Sequence, residues 1–316
     1  MKAPFSGVLC TGNIVLDVLV RPVDEVRWGA TAWVDSIEQR LGGNGANTSL
    51  TVARFGVPVR LVSVVGDDAP GGQLIETLSS AGVDTDFVQR QPAPTPVTIA
   101  LVNTAGDRAF LHRPGAVKAA FGAPIDFTPA LLEGISRYHL ANVFAFAAFR
   151  AHAAETLRRA RAAGLITSLD TGWDSRGRWI EDLWPCLPYV DLLFVNQVEA
   201  GKLTGFDQPS EAARALLGGG AGEVVVKLGP QGCAVYSIEG EFRAPAFDVE
   251  VVDTTGAGDC FAGGFLAALA RGHTRQEAAR YASAAGALAV RQLGASENLP
   301  EWAALEAWVR TARPRG

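Results

Sequence analysis

The 316-residue sequence predicts an α/β fold: βα units on a mainly parallel sheet, with a small antiparallel sheet beside it. Three observations predict it. Short β-rich runs alternate with longer helical patterns along most of the chain, the rhythm of repeated strand–helix units. Two stretches, Ala32 to Arg40 and Val97 to His112, break that rhythm with alternating residues, the second turning at Ala105-Gly106-Asp107. Finally, 48% of positions are apolar and the formal net charge is −5, the composition of a globular chain long enough to bury a large core.

In chain order, Gly7 to Leu19 reads as the first strand, and the helix Ala46 to Phe55 follows the first irregular stretch and stops at Gly56. Val59 to Val65 is a strand, Gly72 to Ala81 a helix stopped by Gly82, and Gln91-Pro92-Ala93-Pro94-Thr95-Pro96 a stiff connector into the second irregular stretch. The strands Tyr138 to Ala141, Leu165 to Asp170, Val190 to Val195 and Glu223 to Leu228 follow. Between and after them come helices at Ala151 to Ala163, Ser210 to Leu217 (with a flexible turn at Gly218-Gly219-Gly220), Asp259 to Ala270 and Arg275 to Gln292. The two irregular stretches are either edge hairpins of the main sheet or a lid over a ligand site. The expected organisation is one domain over residues 1–316, its lid strands drawn from about 15–40 and 97–112.

A sequence pI near 5.5 gives no general attraction to nucleic acid or anionic lipid, so any anionic ligand must be held by local groups. Cys10, Cys186, Cys233 and Cys260 are too scattered for a zinc site or a disulfide framework, and a reducing cytoplasm is the expected setting. Residues 1–20 lack a signal-peptide core. The most apolar runs, Tyr138 to Phe149 and Cys260 to Ala270, are shorter than the roughly 18 residues a membrane span needs.

The chemistry concentrates in Asp253-Thr254-Thr255-Gly256-Ala257-Gly258-Asp259, a loop that enters an apolar helix. Glycines at 256 and 258 let backbone N–H groups approach an anion, and the helix start adds unpaired donors and a favourable dipole. Asp259 either caps that helix or takes the proton of an alcohol that attacks a phosphoryl group held at the loop. A second glycine-rich turn, Leu41-Gly42-Gly43-Asn44-Gly45-Ala46-Asn47, carries two carboxamides suited to the vicinal hydroxyls of a polyol, and Asp17 offers a bidentate acceptor; each also reads as ordinary turn or loop chemistry. Asn196-Gln197-Val198-Glu199 follows a strand at the carboxyl end of the sheet, where Glu199 either compensates a helix dipole or, with Asn196 and nearby phosphates, holds hydrated Mg²⁺. His139 and Asn142 flank a strand end, facing pocket or core, and Trp173 with Asp174 either closes a pocket wall or packs between helices.

In this order, these pieces resemble the ribokinase-like family of carbohydrate kinases, also called the phosphofructokinase B family. The two signatures are Gly42 to Asn47 with its helix and Asp253 to Asp259 with its helix; between them lie Val65-Gly66-Asp67-Asp68 with Gly71, Asn196 to Glu199, and Lys227-Leu228-Gly229 with Gly232. The resemblance, from Gly12 to Pro300, implies a doubly wound α/β core with a β-sheet lid, and transfer of the ATP γ-phosphoryl to a sugar or related alcohol. It implies Asp259 as base, Gly256, Ala257 and Gly258 as anion hole, and Asn196 with Glu199 as organisers of Mg²⁺, largely through water. It further implies Lys227, Gly229 and Gly232 at the nucleotide, and Asp17, Gly43 and Asn47 at the acceptor, where Asn44 is a candidate by its carboxamide alone. A monovalent cation, K⁺, would fall near Asp253, Thr255, Ala289, Gly294 and Asn298, and a homodimer would pair through the lid.

Two departures bear on the acceptor. Val15 stands where ribokinases carry a substrate-binding Asn, and Asn44 stands where they usually carry Lys, which weakens the case for a phosphorylated sugar. Arg113, ending the lid stretch, either faces an acidic substrate such as a keto-deoxy sugar acid or is a solvated rim charge. A nucleoside kinase on the same fold is the enzyme alternative, and a sugar-binding regulator without turnover the non-enzyme one. The intact loop with Asp259 favours an enzyme. A dinucleotide enzyme is disfavoured, because no strand leads into a G-x-G-x-x-G turn with an acidic residue about 20 positions on.

Overall fold

The computed structural model describes residues 6–291, 294 and 296–315. The chain opens with β1 (Gly7–Thr11), β2 (Val15–Arg21), β3 (Ser36–Gly42), α1 (Asn44–Arg54), β4 (Val59–Gly66), α2 (Ala69–Ser80), β5 (Val83–Asp84) and β6 (Val88–Gln91). Then come β7 (Val97–Val102), β8 (Arg108–Arg113), α3 (Pro129–Leu132), β9 (Ile135–Leu140), α4 (Ala153–Ala162), β10 (Ile166–Asp170) and α5 (Ile180–Leu183). The remainder is β11 (Leu192–Asn196), α6 (Gln197–Thr204), α7 (Pro209–Gly218), β12 (Glu223–Lys227), β13 (Cys233–Ser237), β14 (Gly240–Ala244), α8 (Ala257–Ala270), α9 (Arg275–Ala289) and α10 (Trp302–Thr311).

The main sheet runs β14-β13-β12-β11-β10-β9-β1-β4-β5, with β6 also on β4; it is parallel from β12 to β5 and antiparallel at the β12–β13–β14 end. Strand side chains alternate between two cores, as the period of two requires. Cys10, Leu192 and Phe194 enter the core shared with α1, α8, α9 and α10, whereas Leu9, Leu193 and Val195 enter the core shared with α4, α6 and α7. Helices therefore cover both faces, which is why the strands read as near-continuous apolar runs: the fold is doubly wound α/β. Full burial of a side chain such as Phe194 contributes about 1.5–3 kcal/mol.

A separate four-stranded sheet, β3-β2-β7-β8, stands beside this core; it is mixed rather than antiparallel as expected, because the two outer pairs are antiparallel but β2 and β7, which come from separate stretches of chain, run parallel. The expected single strand Gly7 to Leu19 is divided between the two sheets: β1 ends at Thr11 and β2 starts at Val15. The break has a packing cause. A Cβ on Gly12 would lie 2.5 Å from the Cα of Gly45, so strand end and helix start meet backbone to backbone, and Asn13 Oδ1 then accepts the Asn44 N–H at 3.0 Å. The chain leaves the first sheet there. Strand structure in the stretch Ala32 to Arg40 begins only at Ser36, while the second hairpin turns at Gly106 as expected. The helix expected to reach Gln292 ends at Ala289, and Gln292 itself lies outside the described residues.

In the small sheet, register pairs Asp17 with Arg40 and with Thr98, and Thr98 with His112. These residues share one face. The opposite face pairs Val20 with Ile37, Val18 with Ile99 and Ile99 with Leu111, an apolar surface on which Ile37 and Leu111 are exposed. No helix among the described residues is long and apolar enough to cross a membrane.

Candidate active site

The loop 253–259 forms part of the wall of two cavities. One, of 350 Å³, lies between the small sheet and the core, lined among others by Asn13, Asp17, Gly43, Asn44, Asn47, Thr98, Phe110, Thr255, Gly256 and Asp259. The other, of 460 Å³, is lined by Lys227, Gly229, Gly232, Thr254, Ala257 and Gly258, together with apolar Phe247, Val249 and Phe261. Gly256 makes this possible, since its φ of 70° at the N-cap of α8 turns the loop into the helix through the left-handed region. Ala257 N–H makes a 3.3 Å turn bond with Thr254 O.

Asp259 is buried, and both carboxylate oxygens are occupied: Asn44 Nδ2 donates to Oδ1 at 2.7 Å and Asn47 Nδ2 to Oδ2 at 3.0 Å. Burial raises its pKa, while the two carboxamides and the Lys227 ammonium pull it down and keep the ionised form accessible. The carboxamides are themselves fixed. Asn142 Nδ2 donates to Asn44 Oδ1 at 2.9 Å, and Ser296 Oγ donates to Asn47 Oδ1 at 2.9 Å. Asn142 thus acts on the site through Asn44.

Asp17 sits in the same cavity, its pKa pushed up to about 7 by burial first and by the Asp259 and Asp253 charges next. Across the loop, Lys227 Nζ bonds both oxygens of Asp170 at 2.7 and 3.0 Å, and a Cβ on Gly258 would stand 3.3 Å from that ammonium. Burial alone would lower the Lys227 pKa, but Asp170 and Glu199 hold it above its usual value. Glu199 is 7% exposed, closes a capping box with Asn196, and accepts from Thr171 Oγ1 at 2.8 Å.

Other expectations land elsewhere. Arg113 does not line the cavity: it follows His112 on β8, so its side chain leaves from the opposite face, where Nη2 donates to Thr95 O at 3.2 Å. His139 is a core residue bonded to Ser168 Oγ at 2.9 Å, its pKa pushed down to about 3 by burial. Asp174 is buried as the partner of Arg150 at 2.6 Å, and Trp173 packs edge-on to Trp179; neither lines the cavity. Of the five residues suggested for a monovalent cation, Asp253 and Thr255 already share the Arg108 guanidinium: Nη1 is 2.9 Å from Asp253 Oδ1 and 2.8 Å from Thr255 Oγ1. Gly294 lines the 350 Å³ cavity beside Arg40, Ala289 is buried at the end of α9, and Asn298 lies in the turn that follows. A cation site competing with a built-in guanidinium does not fit these residues.

Sequence reading missed Asn13, Thr98, Arg108 and His112. For the last three the signal was available in the alternation of the hairpin, because residues paired across its strands on the Asp17 face must line the same cavity.

The model of the pfkB family carbohydrate kinases matches residues 7–302. The chain belongs to the pfkB family of carbohydrate kinases. A pfkB kinase is a phosphotransferase with a hydroxyl acceptor, and the relatives agree. The chain is 33% identical to an ATP-dependent ribose-1-phosphate kinase of Halopiger xanaduensis, over 91% of this chain and 93% of that one. It is 30% identical to an aminoimidazole riboside kinase of Salmonella typhimurium, over 82% of this chain and 84% of that one. Among solved structures, a putative ribokinase II of E. coli in complex with ATP and Mg²⁺ superposes with a TM-score of 0.83 at 27% identity, covering 96% of this chain and 99% of that one. In this pfkB kinase no group of three or more His, Cys, Asp or Glu that could hold a metal is found among the described residues. Glu199 and Asn196 nevertheless fit a water-mediated role, being oxygen donors beside the Lys227–Asp170 pair.

Proposed function

We propose that this pfkB kinase transfers the γ-phosphoryl of ATP to a hydroxyl of a free sugar or sugar derivative of ribose or fructose size, with the nucleotide in the 460 Å³ cavity and the acceptor in the 350 Å³ cavity. One observation carries the reading: the 253–259 loop is common to both cavities, so a phosphoryl group over its backbone amides faces the acceptor beside Asp259. Asp259 accepts the hydroxyl proton as the alkoxide oxygen forms its bond to the γ-phosphorus. The bond to the β-phosphate oxygen breaks, and ADP leaves with that electron pair. The amides of Gly256, Ala257 and Gly258 and the Lys227 ammonium stabilise the charge in flight. Mg²⁺ supplies charge neutralisation on the phosphates when bound, held through water by Asn196 and Glu199. Asp17, Gly43, Asn44 and Asn47 orient the acceptor hydroxyls, and the small sheet above excludes water.

The acceptor cavity is polar around Asp17, Asn44 and Asn47 and apolar around Leu19, Val102 and Phe110. That second, apolar end supports a nucleoside or riboside acceptor as the other reading. The arginines there do not by themselves call for an anionic acceptor: Arg21 and Arg40 both meet Glu38, Arg40 also approaches Glu297, and Arg108 meets Asp253. The exposed apolar face of the small sheet supports a homodimer through the lid, and four buried free cysteines support a reducing compartment. Acceptor-dependent ADP formation across free sugars, keto-deoxy sugar acids, sugar phosphates and nucleosides tests the assignment. Transfer to none of them, with ATP bound, overturns it.

A further inference from the structure

We propose that Arg108, carried by the small sheet, is a built-in cation for the phosphate-binding loop, so that closing this sheet over the acceptor and charging the loop for transfer are one event. The proposal rests on the kinase reading above. Asp253 is a carboxylate with its side chain only 5% exposed, three residues from the amides that would receive a phosphoryl group. An uncompensated buried negative charge there opposes the charge that must develop during transfer. It cannot simply be removed, because Asp253 Oδ1 accepts the Thr255 N–H at 2.8 Å and so shapes the loop. Arg108 Nη1 answers both needs: it neutralises Asp253 at 2.9 Å and holds the Thr255 hydroxyl at 2.8 Å. Arg108 opens β8, just after the hairpin turn at Gly106, and Val102, Gly106 and Phe110 around it line the acceptor cavity. The contact therefore exists only while the hairpin lies over the loop. Arg108 is a positioning residue, acting through Asp253 and Thr255.

A mobile monovalent cation is then redundant. The test compares wild type, Arg108→Met and Arg108→Lys in choline, Na⁺ and K⁺ chlorides at equal ionic strength, read by acceptor-dependent ADP formation and, without substrates, by Tm. Wild type is expected to turn over within twofold of one rate in all three salts, with a Tm indifferent to K⁺. Arg108→Met is expected to lose tenfold or more in kcat in choline, to regain most of it in K⁺, and to gain a K⁺-dependent rise in Tm. Arg108→Lys, which keeps the charge, is expected to stay within tenfold of wild type without K⁺. A wild-type enzyme activated tenfold by K⁺, or an Arg108→Met enzyme with unchanged kcat or an unrescued loss, overturns the proposal. If wild type transfers to no acceptor, the kinase reading fails, and the Tm response of Arg108→Met to K⁺ still decides whether the guanidinium stands in for a cation.

Discussion

Replacing Asp259 by Asn removes the proposed base while preserving shape, and the surroundings set the size of the effect. General-base assistance contributes about 10²–10⁴ in rate, equivalent to about 3–5 kcal/mol of barrier. The substitution also disturbs the ground state. Both oxygens accept from carboxamides, Asn44 at 2.7 Å and Asn47 at 3.0 Å, so the new NH₂ must face another donor, an unsatisfied buried contact of about 1–3 kcal/mol. Relief of a buried charge offsets part of this cost, because burial raises the Asp259 pKa and so penalises the ionised form at neutral pH. The expected variant is folded, with kcat down by 10² or more. The cavity proposed for the nucleotide is lined by Lys227, Gly229, Gly232, Thr254, Ser283, Arg315 and apolar residues rather than by Asp259, so affinity for a non-hydrolysable ATP analogue is expected to stay within about twofold of wild type, a ratio worth under 1 kcal/mol. Calorimetric titration with the analogue beside an ADP-release assay separates the two. A kcat within tenfold of wild type refutes Asp259 as base.

The remaining expectations use the same geometry. Asp17, pushed up to about 7, protonates below that pH and stops accepting from acceptor hydroxyls, so acceptor KM should rise as pH falls from 8 to 6, and Asp17→Asn should flatten this dependence. Because the folded pKa of Asp17 is raised, its contribution to stability is lost as pH rises through about 7; the Tm gain of Asp17→Asn over wild type should grow from pH 6 to pH 8, and a gain that shrinks contradicts the assignment. Lys227→Met strands Asp170 in the core, an expected loss of about 3–5 kcal/mol in denaturant unfolding that Lys227→Met with Asp170→Asn should largely restore. Ile37→Glu with Leu111→Glu should convert a sedimenting dimer to monomer, and a wild-type monomer at working concentration would remove the lid-mediated assembly.

What the sequence revealed depended on range. The loop from Asp253 to Asp259 was legible because its chemistry is local: two glycines, a helix start and a carboxylate within seven residues. The strand–helix rhythm was legible for the same reason, as was the hairpin turn at Gly106. The division of Gly7 to Leu19 was not, because the cause is contact with Gly45, far along the chain. The α10 helix was overlooked although buried Trp302, Leu305 and Val309 carry a helical stripe. Arg113 and Arg108 illustrate the limit most sharply. On a strand, one residue decides the face, and the bond from Arg108 to Thr255 spans 147 positions that no local pattern connects.

The most direct test of the central claim is ADP release from ATP and Mg²⁺, in K⁺ and in Na⁺, against ribose, fructose, other free sugars, keto-deoxy sugar acids, sugar phosphates and nucleosides. Release that depends on one acceptor class, and disappears in Asp259→Asn, is the predicted result. Bound ATP and bound acceptor without ADP formation would contradict the account and leave a sugar sensor on a kinase fold.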